Sequence, residues 1–184
     1  SRGALLFTHD GISGPAALNI SGAVAAELAD GRPVELRAAL HSADEQWWEA
    51  HFAGFRDRRG GMNVLTVLRR EMPTALAATV MELAGIVPET RMSGLSASTE
   101  RRVIDCVLRM PFAVSGTPGM DSAMVTRGGI ALDEVDRKTM ESRLLSGLFF
   151  AGEILDVDGP CGGFNLQWAF SSGFLAGASA ARLD

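Results

Sequence analysis

The residues whose types and spacing best suit chemistry lie between Gly147 and Gly177, in the stretch G-L-F-F-A-G-E-I-L-D-V-D-G-P-C-G-G-F-N-L-Q-W-A-F-S-S-G-F-L-A-G. After Gly152-Glu153 comes a loop with three glycines, one proline and the carboxylates Asp156 and Asp158. Backbone N–H groups in such a loop can approach a ligand closely, because no Cβ intervenes. From Asn165 onward the spacing becomes helical, with Leu166, Ala169, Phe170, Gly173, Ala176 and Ala180 at helical intervals. A helix start adds unpaired N–H donors and a partial positive charge of about half a unit, which suits a phosphate or carbonyl oxygen. The same pattern also suits an ordinary strand-to-helix connection. Asp156 and Asp158 can accept hydrogen bonds from ligand hydroxyls, or serve only as turn residues.

Other candidates carry less. His9 and Asp10 are a tempting acid–base pair, but a loop histidine with no visible partner is more often structural. Cys161 stands near a helix start, yet no C-x-x-C pair accompanies it, which argues against disulfide redox chemistry. Cys106 reads as packing. Asp57-Arg58-Arg59-Gly60-Gly61 is most simply a solvated loop, with phosphate contact as the other reading. Asp156-Val157-Asp158-Gly159 lacks the remaining positions of a calcium loop, so no metal is expected. No catalytic residue can be assigned from residue types alone.

The elements that must position these groups follow from periodicity. Ala4–Phe7, Val34–Leu40, Phe112–Ser115, Ala123–Thr126, Ile130–Leu132 and Leu148–Ala151 read as strands, the last buried on both faces. Gly14-Pro15 opens a helix that Gly31 closes. Ser42 and Glu45 form a capping box, Asn63 and Ser98 read as caps, and Pro73 starts a further helix. Residues 42–111 are therefore expected to be a helical unit.

The 184 residues are 47% hydrophobic, enough for a sizeable core. A net charge of −5 offers no basic footprint, so no nucleic-acid partner is expected. No apolar run reaches the roughly 18 residues that span a bilayer, so no membrane partner is expected either. Two cysteines make no disulfide framework, and a reducing cytoplasm fits best.

Three ordered motifs carry a resemblance. They are Leu5-Leu6-Phe7-Thr8-His9-Asp10-Gly11-Ile12-Ser13-Gly14-Pro15-Ala16; Met124-Val125-Thr126-Arg127-Gly128-Gly129-Ile130 with Thr139-Met140-Glu141-Ser142; and Gly147–Glu153, Leu155–Gly159 and Gly162–Gln167. Together they resemble the BaiN-like (YhiN-like) bacterial NAD(P)/FAD-dependent flavoproteins, sometimes labelled aminoacetone oxidases. The resemblance implies an α/β plus α+β architecture: the carboxy-terminal part of a two-dinucleotide-binding FAD domain, with a β-rich segment and a helical insertion. The implied divisions are residues 1–41 in the β-rich domain, 42–111 as the insertion, 112–128 as returning strands and 129–184 as part of the FAD domain. No G-x-G-x-x-G occurs, so the pyrophosphate-binding start of such a fold is expected in a missing amino-terminal part of the same protein.

By the same resemblance the function is FAD-dependent oxidoreduction, with NAD(P)H as electron donor and a small-molecule substrate left open. This chain alone is expected to be inactive. An oxygen-dependent amine oxidase and a non-catalytic flavin- or protein-binding module remain alternatives. The implied cofactor residues are Gly128 and Gly129 as a wall near the ring, Gly152, Glu153 and Asp156 along the tail, Gly162 and Gly163 keeping the loop close, then Phe164, with the Asn165 and Leu166 backbone at the pyrimidine end. Phe164 departs from the family, where tyrosine is common. A flavin does its own electron chemistry, so the lack of a catalytic triad does not argue against an enzyme.

Overall fold

The computed structural model describes residues 1–182. The elements in chain order are β1 (Leu6–Phe7), β2 (Ile12–Ser13), α1 (Pro15–Ala29), β3 (Val34–Ala38), α2 (Glu45–Arg59), α3 (Val64–Leu68), α4 (Thr74–Leu83), α5 (Ala97–Leu108), β4 (Met110–Val114) and α6 (Phe164–Ala180). They fall into two compact units, Val34–Val114 and Ser1–Pro33 with Ser115–Asp184.

In the unit Val34–Val114, β3 and β4 pair antiparallel, with Val34 opposite Val114 and Ala38 opposite Met110. The two strands share one compact unit with the helices they bracket. Trp48 and Phe52 from α2 meet Val64, Val67 and Leu68, then Ala77 and Val80, then Val103 and Val107, all fully buried. Each large side chain buried this way contributes about 1.5–3 kcal/mol. Two caps differ from the sequence reading. Asp44, not Ser42, caps α2 by accepting the Trp47 N–H at 2.8 Å. Ser96, not Ser98, caps α5, its hydroxyl accepting the Thr99 N–H at 3.2 Å. Each true cap lies two residues from the predicted one, because the cap is fixed by where the backbone turns and several polar residues crowd both starts. Asn63 precedes α3 without a side-chain cap bond.

The other unit begins with the β1–β2 hairpin, closed by Thr8 N–H donating to the Gly11 carbonyl at 2.8 Å. Gly14 follows at φ 88° as the cap of α1, with Pro15 in the first turn. A Cβ on Gly14 would stand 2.7 Å from the Ala4 carbonyl oxygen, so only glycine fits there. The core of this unit is small: Val135, Met140, Leu155 and Ala176, with Ile130, Phe149 and Trp168 half-buried around them.

Several expected strands do not form. Leu148–Ala151 makes one bridge, Glu141 to Phe149, and Leu148 is 40% exposed rather than enclosed on both faces. Ile130 pairs with Leu155 through a single parallel bridge, and Leu132–Glu134 is a 3₁₀ turn. No strand covers Ala123–Thr126. An apolar run becomes a strand only when neighbouring strands take its N–H and C=O groups, and among the described residues none flanks these runs. No helix of the described residues is long and apolar enough to cross a membrane.

Candidate functional site

Two short segments lie side by side and build the first half of the site. Ile130 N–H donates to the Ile154 carbonyl at 2.9 Å, and Asp156 N–H donates to the Ile130 carbonyl at 3.0 Å. Two carboxylates then clamp the preceding loop: Glu153 Oε1 accepts Thr126 N–H at 2.6 Å, and Asp156 Oδ1 accepts Gly128 N–H at 3.2 Å. The crossing is so close that a Cβ on Gly129 would sit 2.5 Å from the Ile154 carbonyl oxygen. Gly129 therefore lets two backbones pass, whereas Gly128, at φ 94°, has open space where its Cβ would be.

Gly152 faces inward. Its N–H donates to Ser172 Oγ at 2.9 Å and its carbonyl accepts Trp168 Nε1–H at 3.2 Å. The Ser172 hydroxyl in turn donates to the Trp168 carbonyl at 2.7 Å, and the serine is only 2% exposed. Both backbone groups of Gly152 are thus committed to α6, and the turn Gly152–Ile154 is fixed against that helix.

The second half of the site is the start of α6. Gly163 is its cap, left-handed at φ 91°, with nothing near the position of a Cβ. Gly162, at φ 130°, abuts only the Phe164 ring. The Asn165 amide closes the loop on itself: Oδ1 accepts Gly159 N–H at 2.6 Å and Nδ2 donates to the Gly159 carbonyl at 3.0 Å. With that side chain turned back, the backbone N–H groups of Asn165 and Leu166 find no acceptor among the described residues. The first helical bond at this end is Gln167 N–H to the Gly163 carbonyl, 2.9 Å. Phe164 and Leu166 are 60% and 66% exposed.

Helix α1 anchors both halves. Asn19 Oδ1 accepts Cys161 N–H at 2.6 Å, and Arg127 Nη1 donates to the Gly22 carbonyl at 2.9 Å. The sequence-predicted residues thus divide by role. Gly163, Asn165 and Leu166 present open backbone, Gly128 has room for a Cβ but is held through its N–H, Gly129 lets two backbones cross, Gly152 is hydrogen-bonded to α6, and Glu153 and Asp156 tie the loops. Ser172, Trp168, Asn19 and Arg127 were not singled out in the sequence. The only local signal was Trp168 and Ser172 standing four apart on one helix face. His9 and Asp10 sit exposed on the β1–β2 turn. Burial pushes the Cys106 thiol up, consistent with packing. Among the described residues no cluster of side chains could hold a metal.

This arrangement can hold an anionic or carbonyl oxygen at the positive end of a 17-residue helix. The residues present fit FAD in that respect: free donors, flanking glycines without Cβ obstruction, and carboxylates that hold the adjoining loop.

A glycine-lined loop leading into a helix with free N-terminal donors, on mixed α/β secondary structure, is compatible with a Rossmann-like dinucleotide-binding class. The chain belongs to the family described as HI0933-like protein Rossmann domain, matched over residues 16–179, within the FAD-binding flavoproteins. It is 36% identical over 186 residues to a ribosomal RNA dihydrouridine synthase of Haemophilus influenzae, covering 97% of this chain and 42% of that protein. It is 33% identical to a 3-dehydro-bile acid delta(4,6)-reductase of Clostridium scindens, covering 98% and 44%. A ribosomal RNA dihydrouridine synthase of Escherichia coli is 32% identical, covering 91% and 40%. The chain therefore spans less than half the length of these relatives.

Proposed function

We propose that these residues are the carboxy-terminal part of an FAD-dependent oxidoreductase that adds two hydrogens across a carbon–carbon double bond conjugated to a carbonyl. The structural observation that carries this reading is the pair of unpaired N–H groups at Asn165 and Leu166, aimed from the start of α6 past an unobstructed Gly163. The names of the relatives supply the reaction class. Dihydrouridine is uridine with its ring double bond saturated, and the bile acid enzyme is named for reducing double bonds of a 3-keto steroid. Both are reductions of an alkene made electrophilic by a nearby carbonyl.

Bound FAD supplies the hydride chemistry. The chain's own residues do four things. The Asn165 and Leu166 N–H groups hold an electronegative oxygen of the ring, where negative charge grows on reduction. Gly128, Gly162 and Gly163 let the backbone stand close. Glu153 and Asp156 keep the 126–128 loop from moving away. Ser172 and Trp168 hold the Gly152 turn on α6, so both halves of the site keep one spacing. The finer resemblance to the BaiN-like proteins supports NAD(P)H as the donor.

Among substrates, uridine in ribosomal RNA is favoured, because two of the three relatives carry that name, one at the highest identity of the three. A steroid-like enone is the second reading, favoured by the bile acid relative. Helix α6 also exposes Leu166, Phe170 and Phe174, four residues apart and 66%, 73% and 80% accessible. We take this stripe as the face that packs on the amino-terminal part of the same protein.

The test is product analysis with the full-length protein, NAD(P)H and unmodified ribosomal RNA. Nuclease digestion and mass spectrometry should reveal a uridine that has gained two hydrogens. Saturation of a 3-keto-4,6-diene steroid alone would select the second reading. Neither product, with aminoacetone oxidised at the expense of oxygen, would overturn both.

A further inference from the structure

The chain's net charge of −5 is unevenly placed. Residues 34–114 hold ten arginines, no lysine and ten Asp or Glu, so the whole negative excess lies in the other unit. Within residues 34–114 the charges are again sorted. Asp44, Glu45 and Glu49 stand at the start of α2, and Arg56, Arg58 and Arg59 at its end. Between residues 55 and 70 there are five arginines against one acid, Asp57.

A basic last turn is ordinary compensation for the helix dipole, but two further arginines come from other segments. The turn after α2 is stitched to residues 90–93 by Val64 N–H to the Thr90 carbonyl, Met92 N–H to the Met62 carbonyl and Ser93 N–H to the Gly60 carbonyl, each 2.9 Å. Asn63 lies opposite Arg91 in that pairing, so Arg91 is held beside the end of α2 by backbone bonds. Arg69 is the residue that closes α3, and its neighbour Arg70 lies over the Phe55 ring at 5.2 Å, one turn from Arg58 and Arg59.

Two members of the group have occupations inside the fold: Arg56 pairs with Glu100, and Arg70 with that ring. Arg58, Arg59, Arg69 and Arg91 are exposed and make no ion pair or side-chain hydrogen bond with any described residue. Three segments thus offer four exposed guanidinium groups without a partner, and the fork geometry of each matches phosphate oxygens.

We propose that this arginine face of the helical unit docks the phosphate backbone of the RNA substrate, so that residues 34–114 grip the nucleic acid while the other unit carries the flavin. This rests on the reading that the substrate is uridine in RNA. The contacts are to phosphate, so they supply affinity and register rather than base specificity. RNA affinity then depends on salt, since each neutralised phosphate releases counterions.

The experiment uses the full-length flavoprotein and deproteinised bacterial ribosomal RNA, with filter binding at several salt concentrations. The variant is the quadruple R58A/R59A/R69A/R91A. All four side chains are exposed, so the fold and the bound flavin should be retained, as checked by circular dichroism and flavin absorbance. The variant should bind ribosomal RNA at least tenfold more weakly at low salt. The slope of log affinity against log salt should shrink by about 3. Flavin reduction by NAD(P)H should stay unchanged. If the parent protein binds and reduces RNA but the folded variant does so with the same affinity and slope, the docking face is wrong and the substrate reading stands. If the parent neither binds nor reduces RNA, the substrate reading fails and takes this proposal with it.

Discussion

Ser172 holds Gly152 in place, and its removal has a calculable cost. In Ser172→Ala the buried Gly152 N–H loses its acceptor, a loss of about 1–3 kcal/mol. Urea unfolding should show a lower midpoint with an unchanged slope, and Ser172→Thr, which keeps the hydroxyl, should recover part of it. The glycines are separable in the same way. Gly129→Ala must displace a backbone carbonyl and should destabilise the protein with or without flavin. Gly163→Ala meets no neighbour and incurs only the left-handed backbone cost of about 1–2 kcal/mol. Gly163→Val adds bulk on the open side and should lower flavin occupancy well beyond Gly163→Ala, as read by the ratio of flavin to protein absorbance. His51 sets a pH dependence. Burial lowers its pKa, outweighing the attraction of Glu71 at 3.3 Å, with His41 and Arg70 opposing protonation further. The folded state prefers the neutral ring. Its contribution is therefore present above the unfolded value of about 6.5 and is lost as pH falls through the lower folded value. Thermal melts of His51→Gln should be flatter across that acid range than those of the parent; an identical acid limb would exclude His51 as the cause.

At the scale of elements, helices were legible, and strands only in part: Ala4–Phe7, Val34–Leu40 and Phe112–Ser115 overlap β1, β3 and β4, whereas Ala123–Thr126, Ile130–Leu132 and Leu148–Ala151 form none. Helices α1, α2, α4, α5 and α6 carry their own hydrogen bonds, so apolar spacing and nearby caps located each to within a few residues. Leu148–Ala151 has equally clear strand composition, yet a strand needs partners that local sequence does not name. The candidate site was legible to a similar depth. Glycine spacing marked where backbone is open, at Gly128 and Gly163. It did not distinguish Gly129, whose backbone crosses residues 154–156, or Gly152, whose N–H is taken by the Ser172 hydroxyl 20 positions away. The clamps Glu153–Thr126 and Asp156–Gly128 were hidden for the same reason: each spans 27 or 28 residues. Helix α6 supplies the prediction at this scale. Its exposed Leu166, Phe170 and Phe174 form too apolar a stripe to be left in water without consequence. In the full-length protein Phe170→Asp with Phe174→Asp should abolish flavin retention. In this chain alone the same pair should improve solubility and reduce self-association, as measured by light scattering.

At the scale of the whole molecule, the net charge averages over two different units. A net −5 counts two units as one, although residues 34–114 are neutral and rich in unpaired arginine. The chain alone should bind FAD weakly or not at all, since it holds the helix start proposed to face the ring but no G-x-G-x-x-G for the pyrophosphate. Submicromolar quenching of FAD fluorescence by residues 1–184 would contradict that division of labour. The central claim is that the full-length flavin takes hydride from NAD(P)H and delivers it to a conjugated double bond. Flavin absorbance followed under nitrogen tests this most directly. NAD(P)H should bleach the yellow oxidised band, and unmodified ribosomal RNA or a 3-keto-4,6-diene steroid should then restore it without oxygen. A flavin that NAD(P)H leaves yellow, or that only oxygen can reoxidise, would contradict the account.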